Sequence, residues 1–356
     1  MSKKNVGTGK EHPAIEGRVS LKKLAEHLGL NPATVSVVLN DVPGRSIPQS
    51  TRDRIKAAAK KLNYHPSLLA RSLRNRRTLN IGILVPALGD GYHTQVIGGI
   101  GDHLMDAGYL YFTAHHRHRK DLIEEYSRML LSRGAEALIA VDTALDHSFP
   151  VPVVCVAGNH VIPGVTNVVL DHRFAAELSL THLHSLGHRD FAFIRGQSFS
   201  SDSDERWRNL VRIAGDLRIS IRPELVVQLD RDLSSPELGY PVIQRFISTG
   251  KHFTAVVAFN DMTAIGAIRA LQDVGLRVPE DVSVIGFDDI KAAEFNNPRL
   301  TTIRQPLSNM GRIAAQCVLN RLHGTERFRE KIVVEPELIV RGSTQRLKAK
   351  DSKGKD

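Results

Sequence analysis

Cysteine is scarce in this chain: 356 residues hold two, Cys155 and Cys317, neither with a Cys or His neighbour at metal-finger spacing. That excludes a disulfide-stapled or zinc-finger scaffold and leaves two buried thiols in apolar stretches as the expectation. Long apolar runs are also missing. No stretch approaches the eighteen or more residues of a membrane span, and the polar start "MSKKNVGTGKEHP" lacks the apolar core of a secretory signal, so a cytoplasmic protein without a membrane partner is expected. No Ser or Cys nucleophile elbow appears, and the glycines of "GGIGDH" sit in a helical pattern instead of a phosphate-binding loop. The expectation is therefore no enzyme, no catalytic residue, no metal and no cofactor. With 42% hydrophobic and 24% charged residues, the chain suits two or three globular domains with full cores.

Acidic residues are few at one end. Residues 1–78 carry sixteen Lys or Arg against five Asp or Glu, a net +11, so the rest of the chain contributes −1 to the total of +10. A localised excess of this kind is what a module needs to displace counterions from a polyanion. Three helical signals follow one another there. Ser20 caps a pattern of Leu21, Leu24, Ala25 and Leu28 that Gly29 stops; Asn31 and Pro32 open "NPATVSVVLN"; Pro48 and Ser50 open "STRDRIKAAAKKLNY", with Ile55, Ala58, Ala59 and Leu62 as its apolar stripe. Two short helices joined by a tight turn and braced by a third make a helix-turn-helix, whose second helix enters the DNA major groove. Val35, Val38 and Leu39 line one side of that helix. Its other face carries Ala33, Thr34, Ser36, Val37 and Asn40 without a charge, so small side chains approach base edges, hydroxyls reach phosphate or base, and methyls touch thymine. On spacing alone, a three-helix protein-interaction bundle is the alternative.

The segments "VSLKKLAEHLGLNPATVSVVLN" and "TRDRIKAAAKKLNYHPSLLARSLR" resemble the DNA-binding region of the lactose-repressor (LacI/GalR) family in order and spacing, including T-V-S in the recognition helix, N-Y-x-P after the third helix and A-R-S-L in the hinge. The resemblance implies that Pro32, Ala33 and Val37 read bases. It also implies that two hinge helices of a homodimer enter the minor groove together, Leu73 wedging between base steps while Ala70, Arg71 and Arg74 contact groove walls and phosphates. One departure is Val37, where the family often has Arg: Val offers apolar contact in place of two hydrogen bonds to guanine, or packs sideways against the first helix. The hinge is too short to hold a helix alone in water and should order on DNA.

From Leu79 onward strands and helices alternate, as in "LNIGILVP", "LYFTAH", "ALIAV", "VPVVCVAG", "DFAFIRG", "TAVVAFN" and "VSVIGFDD", which reads as two parallel sheets with helices on both faces. The expected fold is thus a small all-α helix-turn-helix domain followed by an α/β bilobed body. The layout expected is a flexible extension (1–17), the helix-turn-helix (18–66), a hinge helix and linker (67–78), the bilobed domain (79–345) and a disordered basic tail (346–356). Strand ends in open parallel sheets bind ligands, which singles out Asn260, Asp261, Asp288 and Asp289. The competing reading of Asp288 and Asp289 is a turn capping the next helix.

The stretches "AFNDMTAIGAIRALQDVGLRVPEDVSVIGFDD" and "PRLTTIRQP" resemble the effector domain of the same family, itself similar to periplasmic sugar-binding proteins. The resemblance implies that Tyr92, His93, Arg206, Asn260 and Asp288 face an inter-lobe cleft, with Arg206 anchoring an anionic group or hydroxyl. Arg208 competes for that role because Asn209 replaces the usual Gly, and Trp207 either packs or stacks on a sugar. "HHRHR" at 115–119 gathers three imidazoles without an accompanying carboxylate or thiol pattern, so it reads as a solvated or ligand-touching loop, while His182, His184 and His188 read as structural. The resulting expectation is a ligand-responsive transcriptional regulator, a repressor by the family's common behaviour. It binds a pseudo-palindromic operator as a homodimer, and a small sugar-like effector in the cleft modulates its DNA affinity; the resemblance leaves a nucleobase or a phosphorylated partner protein open as the effector instead. The alternative is a constitutive DNA-organising protein whose second region only dimerises.

Overall fold

The computed structural model describes residues 19–41, 45–64, 77–89, 91–158, 160–231, 236–325 and 327–347. It divides into two units, residues 1–78 and 79–356. In the first, α1 (Leu21–Leu28) starts where the Ser20 side chain accepts a hydrogen bond from the Lys23 amide at 3.2 Å, and ends at Gly29, whose φ of 62° a side chain would resist. The Asn31 side chain caps α2 (Pro32–Leu39) through the Ala33 amide at 2.8 Å, with Pro32 at a position that needs no N–H. Helix α3 (Gln49–Lys61) follows Pro48 with no side-chain cap, so Pro48 precedes the helix and Ser50 lies inside it. Leu24, Ala25, Val35, Val38, Ile55, Ala58 and Ala59 form the buried core of the three helices, and Arg54 of α3 donates to the Leu28 carbonyl at 3.0 Å.

The second unit holds two six-stranded sheets. The first, in the order β11-β5-β4-β3-β1-β2, contains β1 (Asn80–Val85), β2 (Leu110–His115), β3 (Ala135–Val141), β4 (Val153–Val156), β5 (Val165–Leu170) and β11 (Lys331–Val334), all parallel. The second, β12-β10-β9-β8-β6-β7, contains β6 (Phe191–Arg195), β7 (Val226–Gln228), β8 (Ala255–Val257), β9 (Ser283–Asp288), β10 (Thr301–Arg304) and β12 (Glu337–Ile339). Its strands are parallel except that β12 runs antiparallel to β10 at the edge, a departure from the purely parallel sheet expected. Central strands such as β3, β4 and β9 are buried along nearly their whole length, because helices cover both faces.

Helices α4 (Tyr92–Asp106), α5 (Lys120–Ser132) and α11 (Leu307–His323) belong to the first lobe; α6 (His172–Ser185), α7 (Ser203–Asp216), α8 (Gly239–Ser248), α9 (Asp261–Asp273) and α10 (Lys291–Phe295) belong to the second. The lobes are not consecutive in sequence, as the simple alternation implied. The chain crosses between them after β5, between β10 and α11, and between β11 and β12, so residues 307–334 return to the first lobe. There α11 lies against α4 at backbone distance: a Cβ on Gly99 would sit 1.9 Å from the Ser308 carbonyl oxygen, and one on Gly311 would sit 2.1 Å from that of Val96. At the far end of the second lobe, His188 bonds Thr254 Oγ1 (3.0 Å) and the Gln345 carbonyl (3.1 Å), and His182 bonds Thr344 Oγ1 (2.9 Å). These two imidazoles fasten the last described segment to the sheet.

Candidate functional site

Two surfaces carry the polar chemistry. On the first unit, α2 turns Val35 and Val38 inward and leaves Pro32 and Ala33 exposed, with Thr34, Ser36, Val37 and Asn40 half-buried beside them. Leu39 packs against the three-helix core, and Val37 is half-buried on the adjoining face. Asn40 Nδ2 donates to the Ser36 carbonyl at 2.7 Å and to Ser36 Oγ at 3.3 Å, which fixes the end of this face. The hinge residues Ala70, Arg71, Leu73 and Arg74 lie outside the described residues.

In the second unit a cavity of about 100 Å³ opens between the lobes at the carboxyl ends of both sheets. The first lobe contributes Tyr92 and His93 from the start of α4, His118 from the turn after β2, and Asp142 just beyond β3. The second contributes Gln197, Phe199, Ser200 and Asp202 between β6 and α7, Arg206 from the first turn of α7, and Phe259, Asn260 and Asp288 beyond β8 and β9. All five residues expected in the effector cleft therefore line one cavity. Reading the strand ends only at 260–261 and 288–289 missed Asp142 and Gln197, although both follow strands visible in the sequence as "ALIAV" and "DFAFIRG".

Arg206 is 5% exposed and settles its competition with Arg208, which is exposed and pairs with Glu205 at 2.6 Å. Its guanidinium donates to the Phe259 carbonyl (2.6 Å) and to Asp202 Oδ2 (2.9 Å), and lies over the rings of Phe287 (3.8 Å) and Phe259 (4.4 Å). Burial would lower the pKa of this side chain, but the charges of Asp202 and Asp288 outweigh it and hold it above the ordinary value. An Arg already paired this way is a poor anchor for an anion; it presents a fixed set of N–H donors. Burial, reinforced by Asp202, Asp142 and Asp288, raises the Tyr92 phenol well above its usual value, so it stays a neutral donor. Burial also pushes His172 down to about 4; it is neutral, with Nε2 3.4 Å from Asp202. Asp142 behaves oppositely: burial would raise it, but His93, 3.6 Å away, together with His118 and the Ser201 amide outweighs burial and holds it below the usual carboxylate range.

The other acidic candidates have structural duties. Asp261 is fully buried, accepting from Thr302 Oγ1 (2.5 Å) and the Ile290 amide (2.9 Å). Asp289 is held between Arg304 and Arg341, each at 2.7 Å. Neither Asp288 nor Asp289 caps the next helix, whose N-cap is Ile290. Asn260 does both jobs: its side chain caps α9 through the Thr263 amide at 2.9 Å while the residue lines the cavity. Trp207 packs edge-on to Phe193 and beneath Arg195, bordering a separate void of about 20 Å³ behind Arg206.

The "HHRHR" imidazoles divide their roles. His116 is buried; its Nδ1 accepts from the His118 amide (3.1 Å), so Nε2 carries the hydrogen that meets Thr143 Oγ1 at 2.8 Å. His118 reaches the cleft. Among the described residues, the group whose carboxylate and imidazole atoms converge as metal ligands would is elsewhere: Glu124, Asp146 and His147 at the surface, with His147 Nδ1 3.3 Å from Glu124 and 2.7 Å from Asp146.

Residues 20–67 match the model of bacterial regulatory proteins of the lacI family, and residues 180–344 match that of the periplasmic binding protein-like domain. The chain is 32% identical over 342 residues to the HTH-type transcriptional repressor PurR of Haemophilus influenzae, covering 92% of this chain and 99% of that protein. Among solved structures it resembles the lac repressor dimer bound to operator and the anti-inducer ONPF (TM-score 0.83, 24% identity, 92% and 99% of the two chains). It also resembles the transcriptional regulator CelR–cellobiose complex (TM-score 0.68, 25% identity, 92% and 100%). With a repressor matching at this identity over nearly the full length of both chains, and with the helix-turn-helix and the two-lobed body in the same order, this chain belongs to the LacI family of bacterial DNA-binding transcriptional regulators.

Proposed function

We propose that the chain is a cytoplasmic, nucleoid-associated repressor that binds a pseudo-palindromic operator as a homodimer and releases or tightens its grip when a small hydroxylated effector of the sugar class enters the inter-lobe cleft. The observation that carries the DNA half is the outward face of α2. It presents Pro32, Ala33, Thr34, Ser36, Val37 and Asn40, small and uncharged, on a helix whose other side is buried in the three-helix core. Ala70, Arg71, Leu73 and Arg74 supply the minor-groove contacts in this reading. For dimerisation, the first lobe offers Met105, Leu110, Tyr111 and Phe112 on α4 and the edge strand β2, between 40% and 68% exposed. A second copy of the chain would cover them, and the lac repressor, which shares this fold, is described as a dimer.

The effector reading rests on a cleft whose walls combine a fixed guanidinium, neutral phenol and amide donors, and carboxylate acceptors, the equipment for binding hydroxyls. CelR is described with cellobiose, a ligand of this class. Full-length protein on a fluorescent operator duplex, titrated with a panel of mono- and disaccharides, tests the proposal by anisotropy. A saccharide that shifts operator affinity in the wild type but not in Asp288→Ala supports it. An operator affinity that no saccharide moves favours the DNA-organising alternative, in which the second unit only dimerises.

A further inference from the structure

Hydroxyl binding leaves one feature of the cleft unexplained. Asp142 follows β3 of the first lobe at φ +43°, a left-handed conformation unusual for a residue with a side chain, and its carboxylate spans to the second lobe. Oδ1 accepts from the Ser201 amide at 3.0 Å, from Ser201 Oγ at 2.8 Å and from Ser200 Oγ at 3.4 Å; Oδ2 faces His93 Nε2 at 3.6 Å. The Ser201 hydroxyl is also within reach of the Ala157 carbonyl, again in the first lobe. Two residues upstream of Ser201, Phe199 lies against the His118 ring with centroids 4.7 Å apart. His118 is itself fixed: the turn that holds it bonds back to β1 through the His116 amide and the Val85 carbonyl.

The segment Gln197–Asp202 is therefore tied to the first lobe at Asp142 and at His118, although it belongs to the second; the single Ser201 hydroxyl hydrogen serves either Asp142 or the Ala157 carbonyl. These are not incidental surface contacts. Asp142 is 13% exposed at its side chain, it is ionised with its pKa held down, and hydrogen bonds to an ionised carboxylate are among the stronger ones. Gln197, Phe199, Ser200 and Asp202 also line the cavity, so whatever holds this segment sets the shape of the cleft.

We infer that Asp142 is a positioning residue for effector binding: through Ser201 it latches the Gln197–Asp202 segment to the first lobe and holds the lobes closed before any effector arrives. The inference rests on the proposal that this cleft is the effector site. The three chain crossings supply the hinge, and Asp142–Ser201 supplies the catch on the open side. Effector entry then requires the catch to release. Asn at 142 keeps an oxygen for the Ser201 amide and is expected to retain much of the latch, whereas Ala removes every acceptor.

Hydrogen exchange read by mass spectrometry on the full-length, ligand-free protein tests this without knowledge of the effector. Asp142→Ala is expected to raise exchange on the order of 10- to 100-fold in segments 197–203 and 116–119 together, the two sides of the latch, with Asp142→Asn in between. Protection of the α4–α11 contact should stay at its wild-type value. Ser201→Ala should give the same pattern in weaker form, and it decides the matter if Asp142→Ala loses protection everywhere. Faster exchange confined to residues 200–201, or none in both variants, overturns the latch. Because no effector is present, a failed saccharide titration bears on the effector reading and these exchange rates bear on the latch.

Discussion

Removing the charge response of His116 should flatten the acid sensitivity of the second unit. The His116 side chain has no exposed surface, and both ring nitrogens are committed in the neutral form, Nδ1 accepting from the His118 amide and Nε2 donating to Thr143 Oγ1. Thr143 passes its own hydrogen to the Val141 carbonyl at 2.8 Å. A proton on Nδ1 would break this chain of bonds, and burial together with the neighbouring His118 lowers the imidazole from 6.5 to about 3. The native state therefore takes up no proton where the unfolded state does. Stability is fully present above pH 6.5 and is lost as pH falls from there toward 3. At pH 5 the unfolded imidazole is almost wholly protonated and the folded one almost wholly neutral, which costs about 2 kcal/mol relative to pH 7.5. Urea unfolding of the full chain at both pH values, for wild type and His116→Gln, measures it: the wild type should lose about 2 kcal/mol more than the variant. His172, also driven down by burial, titrates in both proteins and cancels in the comparison. Equal losses in the two proteins would mean that His116 is protonated, or accessible to water, in the fold.

Two adjacent glycines of α4, about 1.5 Å apart along the helix axis, should respond in opposite directions. Gly99→Ala drives a methyl against the Ser308 carbonyl and should cost about 1–3 kcal/mol, while Gly98→Ala meets no atom within 4 Å and should gain about 0.5–1 kcal/mol in helix propensity. Thermal melts of both variants check the pair; a stabilising Gly99→Ala would contradict the close approach of α4 and α11. Thiol reactivity should be equally unequal. Burial pushes Cys155 up to about 12, and Cys317 is only partly buried, so a disulfide reagent at pH 8 should modify at most one thiol per native chain and two after denaturation.

The parts of this molecule that were legible from sequence are those written locally. Ser20, Gly29, Asn31 and Pro32 act on the backbone within three residues of themselves, so α1 and α2 fall where their signals stand. The buried strands of both lobes show as short apolar runs for the same reason. What was not legible depends on distant partners. Strand β5, "VTNVVL", follows β4 with no helix between them and so breaks the strand–helix alternation, and β11 and α11 return to the first lobe only because β5 and α4 are there to receive them. Asp261, Asp288 and Asp289 look alike as carboxylates after strands. Thr302 and Ile290 take the first into the core, and Arg304 and Arg341 immobilise the third; Asp288 faces the cleft, where it accepts from Gln305 Nε2 at 2.6 Å. Each of those partners lies at least 15 residues away from the carboxylate it holds, apart from the chain's own fold bringing it close.

The central claim is that the outward face of α2 reads base edges, and Val37 is where it can be tested most directly. Full-length protein and the Val37→Arg variant would each be used to select bound sequences from a random duplex pool at one fixed salt concentration. The account predicts a palindromic consensus for the wild type and, for the variant, a change confined to one position in each half-site toward guanine, with discrimination of about 1–3 kcal/mol at that base pair. Identical consensus sequences from the two proteins, or no enrichment from either, would contradict it.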